Sequence, residues 1–315
     1  MVVRCACSVV LKNFYDSDFN NKRPTTNDPQ LTTHYGRPTN ANAALARQGL
    51  TMDSDDSLQP TNGASSETNI WREDYRIRSY EVDCRNRLSI LSMFSFMQEA
   101  ASRHAASLGV SIQQLLAENY TWLLSRLKIK IAAYPGWNDQ IQVNTWPSGT
   151  QQLFALRDFK MNGAENQMIA AAISAWLVID LQKRRPVRIA PFVERLKPIE
   201  GSHVLKDRLD KLPGLSNPVH EKSFVVRYSD LDINQHVNNV KFVEWVLEGI
   251  PAARLNASVP SELEINFLAE AFHEDQVLAT CSPQDPDNSI FHHSLTRQQD
   301  GRELARAKTK WRKVD

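Results

Sequence analysis

The chain is short of the residues that staple small folds. Only 4 of its 315 residues are cysteine. Cys5, Cys7, Cys84 and Cys281 are scattered, without Cys-x-x-Cys spacing; this excludes a disulfide framework and fits a reducing, cytoplasmic setting. Charge of either sign is not in excess: 37 basic residues face 36 acidic ones, a net charge of +1. No whole-protein field therefore draws the chain to nucleic acid or an anionic membrane, and an acidic partner has to be met by a local patch. Long apolar runs are missing too. The longest, Ala170 to Ile179, is interrupted by Ser174 and is about half of what a membrane span needs, so a soluble protein is expected. There is no Gly-x-Ser-x-Gly elbow, no phosphate-cradling glycine-rich loop and no dinucleotide fingerprint. His292-His293 and His273-Glu274 lack a third ligand at metal spacing, so neither a metal nor a cofactor is expected.

What is present suggests two units. The length suffices for two domains that each bury a core. Residues 1–69 are rich in Asn, Thr, Ser, Asp and Pro without a sustained period, the composition of an ill-ordered leader. Its first eleven residues make a poor secretory signal, and Asp16, Asp18 and Asp28 speak against a transit peptide. Met52 is a second candidate start.

Beyond the leader the sequence repeats itself. Ile77-Arg-Ser-Tyr-Glu-Val-Asp-Cys-Arg-Asn-Arg-Leu88 aligns with Val226-Arg-Tyr-Ser-Asp-Leu-Asp-Ile-Asn-Gln-His-Val237, matching Arg78 with Arg227, Glu81 with Asp230 and Asp83 with Asp232. Further on, Lys128–Ile131 aligns with Glu264–Phe267, Asp139–Ile141 with Asp275–Val277, and Ala172–Trp176 with Ala307–Trp311. These matches, in three registers and one order, indicate duplication. Each copy runs from a strand through a polar turn into a helix. Leu91, Phe94, Met97, Ala101 and Ala105 give the first helix, Leu88 to about Leu108, one apolar face, with Gly109 as its stop. Asn238 or Asn239 caps the second, which Gly249-Ile-Pro251 ends. Strand-like runs follow each helix, at Tyr120–Ile131, Gln140–Trp146, Leu153–Met161 and Ile169–Ile179, then at Glu262–Phe267, Gln276–Cys281, Ile290–Arg297 and Ala305–Arg312. A helix and an antiparallel meander, twice, predict an α+β architecture of helices wrapped by curved sheets. The expected division is a first unit over 70–185, a linker over 186–219 with a short helix within Arg195–Leu212, and a second unit over 220–315.

The copies differ where chemistry is expected. In the second, Asp232, Asn234 and His236 alternate along the turn, so an extended backbone would aim all three to one side, just ahead of a helix N-terminus with free amide donors. That arrangement suits a carbonyl and a water. The first copy has Arg85 and Arg87 in place of Asn234 and His236, and Tyr134 in place of Glu270.

Asp230-Leu-Asp-Ile-Asn-Gln-His-Val-Asn-Asn239, with Trp245 and Glu248, resembles the signature of acyl-acyl-carrier-protein thioesterases, and the likeness runs in order over about residues 71–315. The resemblance implies a tandem hot-dog fold and hydrolysis of fatty acyl thioesters of acyl carrier protein, with the second unit catalytic and the first binding the acyl chain. It also implies roles. His236 activates water or protonates the leaving thiolate, Asn234 positions water or carbonyl, Asp232 orients Asn234 or His236, and amides near Val237, Asn238 and Asn239 hold the oxyanion. Leu263 to Asp275 resembles the stretch in which a Glu completes the site, here Glu270. The Cys that follows it in the plant enzymes is Ala271 in this chain, which leaves direct attack by water with Glu270 as base. Met93, Phe96 and Met97 are expected to line an acyl tunnel. Lys183, Arg184, Arg185 and Arg188 form the densest basic cluster, the candidate contact for an acidic carrier. Acyl-CoA hydrolysis and a non-catalytic acyl-binding regulator are the alternative readings. A homodimer is compatible with the sequence, which does not settle chain-length preference.

Overall fold

Ser89 decides where the first long helix begins. Its side chain accepts the Ser92 N–H, so helix α1 runs over Ile90–Ser107 rather than from Leu88. Gly109, with φ at 72°, turns the chain away after it. The computed structural model describes residues 69–314; almost all of the predicted leader, including Met52, lies outside them. Two short helices on the N-terminal side are α2 (Ile112–Ala117) and α3 (Ala190–Leu196). Asn238 caps α4 (Asn239–Glu248), its side chain accepting the Val240 N–H, and α5 (Ala252–Ala257) follows.

The strands of the first unit are β1 (Trp71–Arg76), β2 (Tyr120–Ile131), β3 (Gln140–Gln151), β4 (Phe154–Asn162), β5 (Met168–Asp180) and the short β6 (Arg185–Val187). Those of the second are β7 (His220–Val225), β8 (Ser258–Phe267), β9 (Gln276–Pro283), β10 (Ile290–Arg297) and β11 (Arg302–Lys313). They form one sheet in the order β1-β3-β4-β5-β2-β8-β11-β10-β9-β7, with β6 on β5. Read outward from the centre, both halves follow the same path, as a duplicated chain requires. Strand β3 extends past the predicted Trp146 because Pro147 falls where the register with β4 shifts, a bulge that asks no ladder hydrogen bond of it. At Gly149, φ is 140° and a Cβ would meet the Glu200 carboxylate at 2.9 Å, so only glycine fits the bulge. The linker helix was expected within Arg195–Leu212 and lies upstream, at Ala190–Leu196. Pro191 suits its first turn, and Pro198 stops it from continuing.

The halves join where β2 pairs with β8, and Lys128 stands opposite Glu264. These are the residues that the internal alignment equates, so the pseudo-dyad passes between them. In a pair of identical copies such a residue would meet itself. Here divergence has set Lys128 Nζ 3.4 Å from Glu264 Oε2, with Glu262 at 3.3 Å and Asp207 of the linker at 3.5 Å.

Helix α1 packs on β1 and β3, α4 on β9 and β10, and the two helices touch. One apolar core spans both halves, from Phe94 and Met97 through Ile129 and Leu263 to Trp245 and Leu295. Each such side chain contributes about 1.5–3 kcal/mol on burial. Among the described residues no helix is long and apolar enough to cross a membrane.

Candidate active site

The loop before α4 is held by the carboxylate of Asp232. Its Oδ1 accepts the backbone N–H of Asn234 at 2.8 Å and of His236 at 3.3 Å, and its Oδ2 takes a long hydrogen bond from Asn234 Nδ2 at 3.4 Å. The backbone closes the same turn: Asp232 N–H donates to the His236 carbonyl at 2.8 Å, and Gln235 N–H to the Asp232 carbonyl at 3.0 Å. Gln235 takes a left-handed φ of 64°. The predicted extended backbone is therefore a tight turn, yet Asp232, Asn234 and His236 still face one cavity.

The first copy keeps this scaffold with different side chains around it. Asp83 Oδ1 accepts the N–H of Arg85 and of Arg87, and Asn86, matching Gln235, has φ at 57°. Arg87 folds back onto Asp83 Oδ2 through Nε at 3.0 Å and Nη2 at 2.7 Å, and its guanidinium lies 6.0 Å from the centre of the Tyr134 ring. Tyr134 in turn donates its hydroxyl to the Pro260 carbonyl at 2.6 Å. The Asp is thus the brace of both loops, and what separates the copies is the pair opposite it.

In the second copy that pair is His236 and Glu270. His236 Nδ1 stands 3.6 Å from Glu270 Oε1, with side chains 15% and 11% exposed. The imidazole is kept upright by an edge contact with Phe272, ring centres 5.3 Å apart. Val237 N–H donates to the Ala271 carbonyl at 3.1 Å, which ties the loop to the Glu270 segment. This contact and that of Asn238 N–H with the Asp230 carbonyl at 2.9 Å correct one expectation. Two of the three amides named as oxyanion donors are consumed in shaping the loop. Asn239 N–H, the first of α4, donates to no described residue and is the donor left at the positive end of the helix. The Asp230 carboxylate is buried and receives Arg227 N–H at 2.8 Å and Nη2 at 3.0 Å. Burial works to raise it, and the Arg227 contacts outweigh that and hold it below the usual carboxylate range.

Asp232, Asn234, His236 and Glu270 line a cavity of about 790 Å³ whose remaining walls come largely from the other half. Helix α1 contributes Ser95, Gln98, Ala101, Ser102 and Ala105; Leu124, Leu156, Arg157, Trp176 and Leu196 lie around them. Val237, Asn238 and Asn239 line it as expected, whereas Met93, Phe96 and Met97 do not. Met93 and Met97 lie on the core face of α1, 0% and 2% exposed, and Phe96 packs on Tyr75 with ring centres 4.4 Å apart. Sequence reasoning missed the wall residues on α1. Their signal is the polar stripe Ser95, Gln98, Ser102, which by periodicity alone marks a solvent-facing side.

The remaining candidates serve the fold. Cys281 is fully buried, donates its thiol to the Gly249 carbonyl at 3.2 Å, and is pushed up to about 11 by burial. His293 is buried against the Thr309 hydroxyl at 2.9 Å. In the basic cluster, Lys183 pairs with Asp180 at 3.3 Å and Asp180 also anchors the turn, while Arg184, Arg185 and Arg188 are exposed.

Comparison with known proteins covers most of the described region. The acyl-ACP thioesterase N-terminal domain matches residues 68–196, and the acyl-ACP thioesterase C-terminal domain matches residues 216–313. A chloroplastic palmitoyl-acyl carrier protein thioesterase of Gossypium hirsutum is 30% identical over 263 residues, covering 77% of this chain and 64% of the relative. The chain thus spans a little under two thirds of that relative's length. Two solved structures share the architecture. One is an acyl-ACP thioesterase from Bacteroides thetaiotaomicron, with 25% identity and a TM-score of 0.71 over 79% of this chain and 100% of that one. The other is the 12:0-ACP thioesterase from Umbellularia californica, with 25% identity and a TM-score of 0.71 over 80% and 100%. Matched in both halves and in chain order, on a tandem hot-dog framework shared with these enzymes, the chain belongs to the acyl-ACP thioesterase family.

Proposed function

We propose that the protein hydrolyses fatty acyl thioesters of acyl carrier protein to free fatty acid and carrier, without a cofactor. The observation that carries this is the His236–Glu270 pair, 3.6 Å apart, on the wall of a cavity to which the other half of the chain contributes most of the remaining lining. Glu270 takes a proton from a water held by Asn234 as the water oxygen attacks the thioester carbonyl carbon. The oxyanion is met by Asn239 N–H at the start of α4. Collapse of the tetrahedral intermediate breaks the C–S bond; the proton that Glu270 took passes to the His236 imidazole, 3.6 Å away, which gives one to the leaving sulfur, so that both side chains return to their starting state. Asp232 is a positioning residue that acts through the loop. The C-terminal unit supplies the chemistry and the N-terminal unit the acyl site. Arg184, Arg185 and Arg188, just ahead of the α3 residue Leu196 that lines the cavity, suit an acidic carrier surface. Cys84 and Cys281 are free thiols, as a reducing compartment such as the cytoplasm requires.

The test is release of free acid from carrier-linked and CoA-linked forms of one acyl chain by the purified protein. Turnover with a higher kcat/KM on the carrier form is expected. Stoichiometric binding without turnover would overturn the assignment, and preference for CoA would reassign the substrate. No thiol takes part in this chemistry, so alkylating the protein with iodoacetamide at neutral pH is expected to leave kcat/KM within about twofold. Inactivation that tracks modification of Cys281 would contradict the water route.

A further inference from the structure

One wall of the cavity carries a cation that makes no ion pair among the described residues, although Glu99 and Glu270 line the same space. Arg157 on β4 is 6% exposed and lines the cavity. Both of its hydrogen bonds start from Nη1, one to His104 Nδ1 at 3.1 Å and one to Thr145 Oγ1 at 3.2 Å. Nε and Nη2 form the two-donor edge that fits a pair of acceptor lone pairs. That edge bonds to nothing among the described residues.

His104 cannot supply the countercharge. Burial, reinforced by the neighbouring guanidinium, pushes its imidazole down to about 3, so the ring is neutral at physiological pH. Its Nδ1 accepts from Arg157 and its Nε2–H donates to Asn69 Oδ1 at 3.0 Å. Burial brings Arg157 down to about 10, which leaves it charged at neutral pH. A second buried donor borders the same space: Thr121 is 9% exposed, and its hydroxyl bonds to no described residue. None of these atoms is among the fully buried side-chain atoms left without a partner, so they open onto the cavity and can be hydrated; a plain hydrocarbon chain would strip that hydration and offer no acceptor in return, which is costly. An acceptor brought by the ligand removes that cost.

We propose that this cavity takes an acyl chain bearing an oxygen function, which the Nε–Nη2 edge of Arg157 hydrogen-bonds. The inference rests on the thioesterase assignment above and names its substrate class. A hydroxyl, an oxo group and a second carboxylate all present that chemistry, and a carboxylate would also cancel the charge.

The experiment compares kcat/KM for carrier-linked chains of one length that are unsubstituted, hydroxylated, oxo-substituted or carboxylated at the far end, with wild type, R157M and R157K. At least one oxygenated chain is expected to exceed the unsubstituted one by about tenfold. R157M should abolish that ratio and R157K should retain part of it. A purely structural arginine would slow every chain by the same factor; an unchanged ratio in R157M therefore overturns the proposal. So does a wild type that prefers the unsubstituted chain to every oxygenated one. If R157M does not fold, the wild-type and R157K ratios decide. Calorimetric binding of the matching acyl-pantetheine amides, which cannot be hydrolysed as thioesters are, reads the same preference without turnover. Tighter binding of an oxygenated amide with no thioester hydrolysed sinks the thioesterase assignment and keeps this one. Hydrolysis without an oxygen preference does the reverse.

Discussion

Glu270→Gln is expected to lower kcat/KM on acyl carrier protein thioesters by about 10²–10⁴-fold, the usual contribution of a positioned general base. Glutamine keeps the shape of the side chain and cannot take a proton from water. Glu270 is 11% exposed and faces the His236 imidazole, so the loss should fall on the chemical step, with little change in melting temperature. Single-turnover release of free acid checks it. Activity within about threefold of wild type would remove Glu270 from the base role. Because His236 and Glu270 act on one water and one leaving group, the double variant E270Q/H236A should cost little more than the worse single variant. The opposite loop supplies the control. Tyr134, the Glu270 counterpart, bonds to the Pro260 carbonyl and lies beside Arg87. Tyr134→Phe is therefore expected to lower stability by about 1 kcal/mol and to leave turnover intact.

How far the sequence announced this arrangement depends on the range over which each feature is encoded. Strands β2 and β5, the cap at Asn238 and the apolar face of α1 follow from local pattern, and they were legible. The repeat was legible too, because duplication leaves like residues in like order, and it located the changes from Asn234 to Arg85 and from His236 to Arg87. Glu270 was found through its family setting and its Tyr134 counterpart. What escaped depends on contacts between distant segments. Ser95 and Ser102 are indeed exposed; that this stripe forms a cavity wall shared with the second copy's loop depends on how the halves are joined. Met93 and Met97 read as tunnel for the same reason: which face of α1 meets the core depends on packing across both halves. Arg157 gave no local signal, since an arginine in a strand is ordinarily an outward-facing residue. The short linker helix was misplaced by a few residues, although Pro191 and Pro198 already marked its bounds.

Mild acid is expected to destabilise the protein through two buried imidazoles. His104 and His293 are each 2% exposed. Burial holds both at about 3, against an ordinary 6.5, with Arg157 beside the first and His292 beside the second adding repulsion. The unfolded chain takes up these protons near pH 6.5 and the folded one only near pH 3, so between those values the unfolded state binds more protons. Stability from these groups is intact above pH 6.5 and is lost as the pH falls toward 3. Well inside that window each histidine costs about 1.4 kcal/mol per pH unit. Going from pH 7 to pH 5 should therefore remove on the order of 4 kcal/mol from the pair, a large share of the roughly 5–15 kcal/mol that holds most proteins folded. Carboxylates such as Asp300, held at about 2 by Arg297, lose their contribution only below their ordinary 3.8, so the two effects separate on the pH axis. Urea denaturation at pH 7, 6 and 5 measures the slope. H104Q/H293Q should flatten it whatever that variant costs at pH 7, because glutamine binds no proton. A wild-type stability unchanged between pH 7 and pH 5 would show that both imidazoles are protonated in the fold, and would hand Arg157 a cationic neighbour in place of the neutral acceptor it has here; a loss of about half the expected size would mean that one of them is.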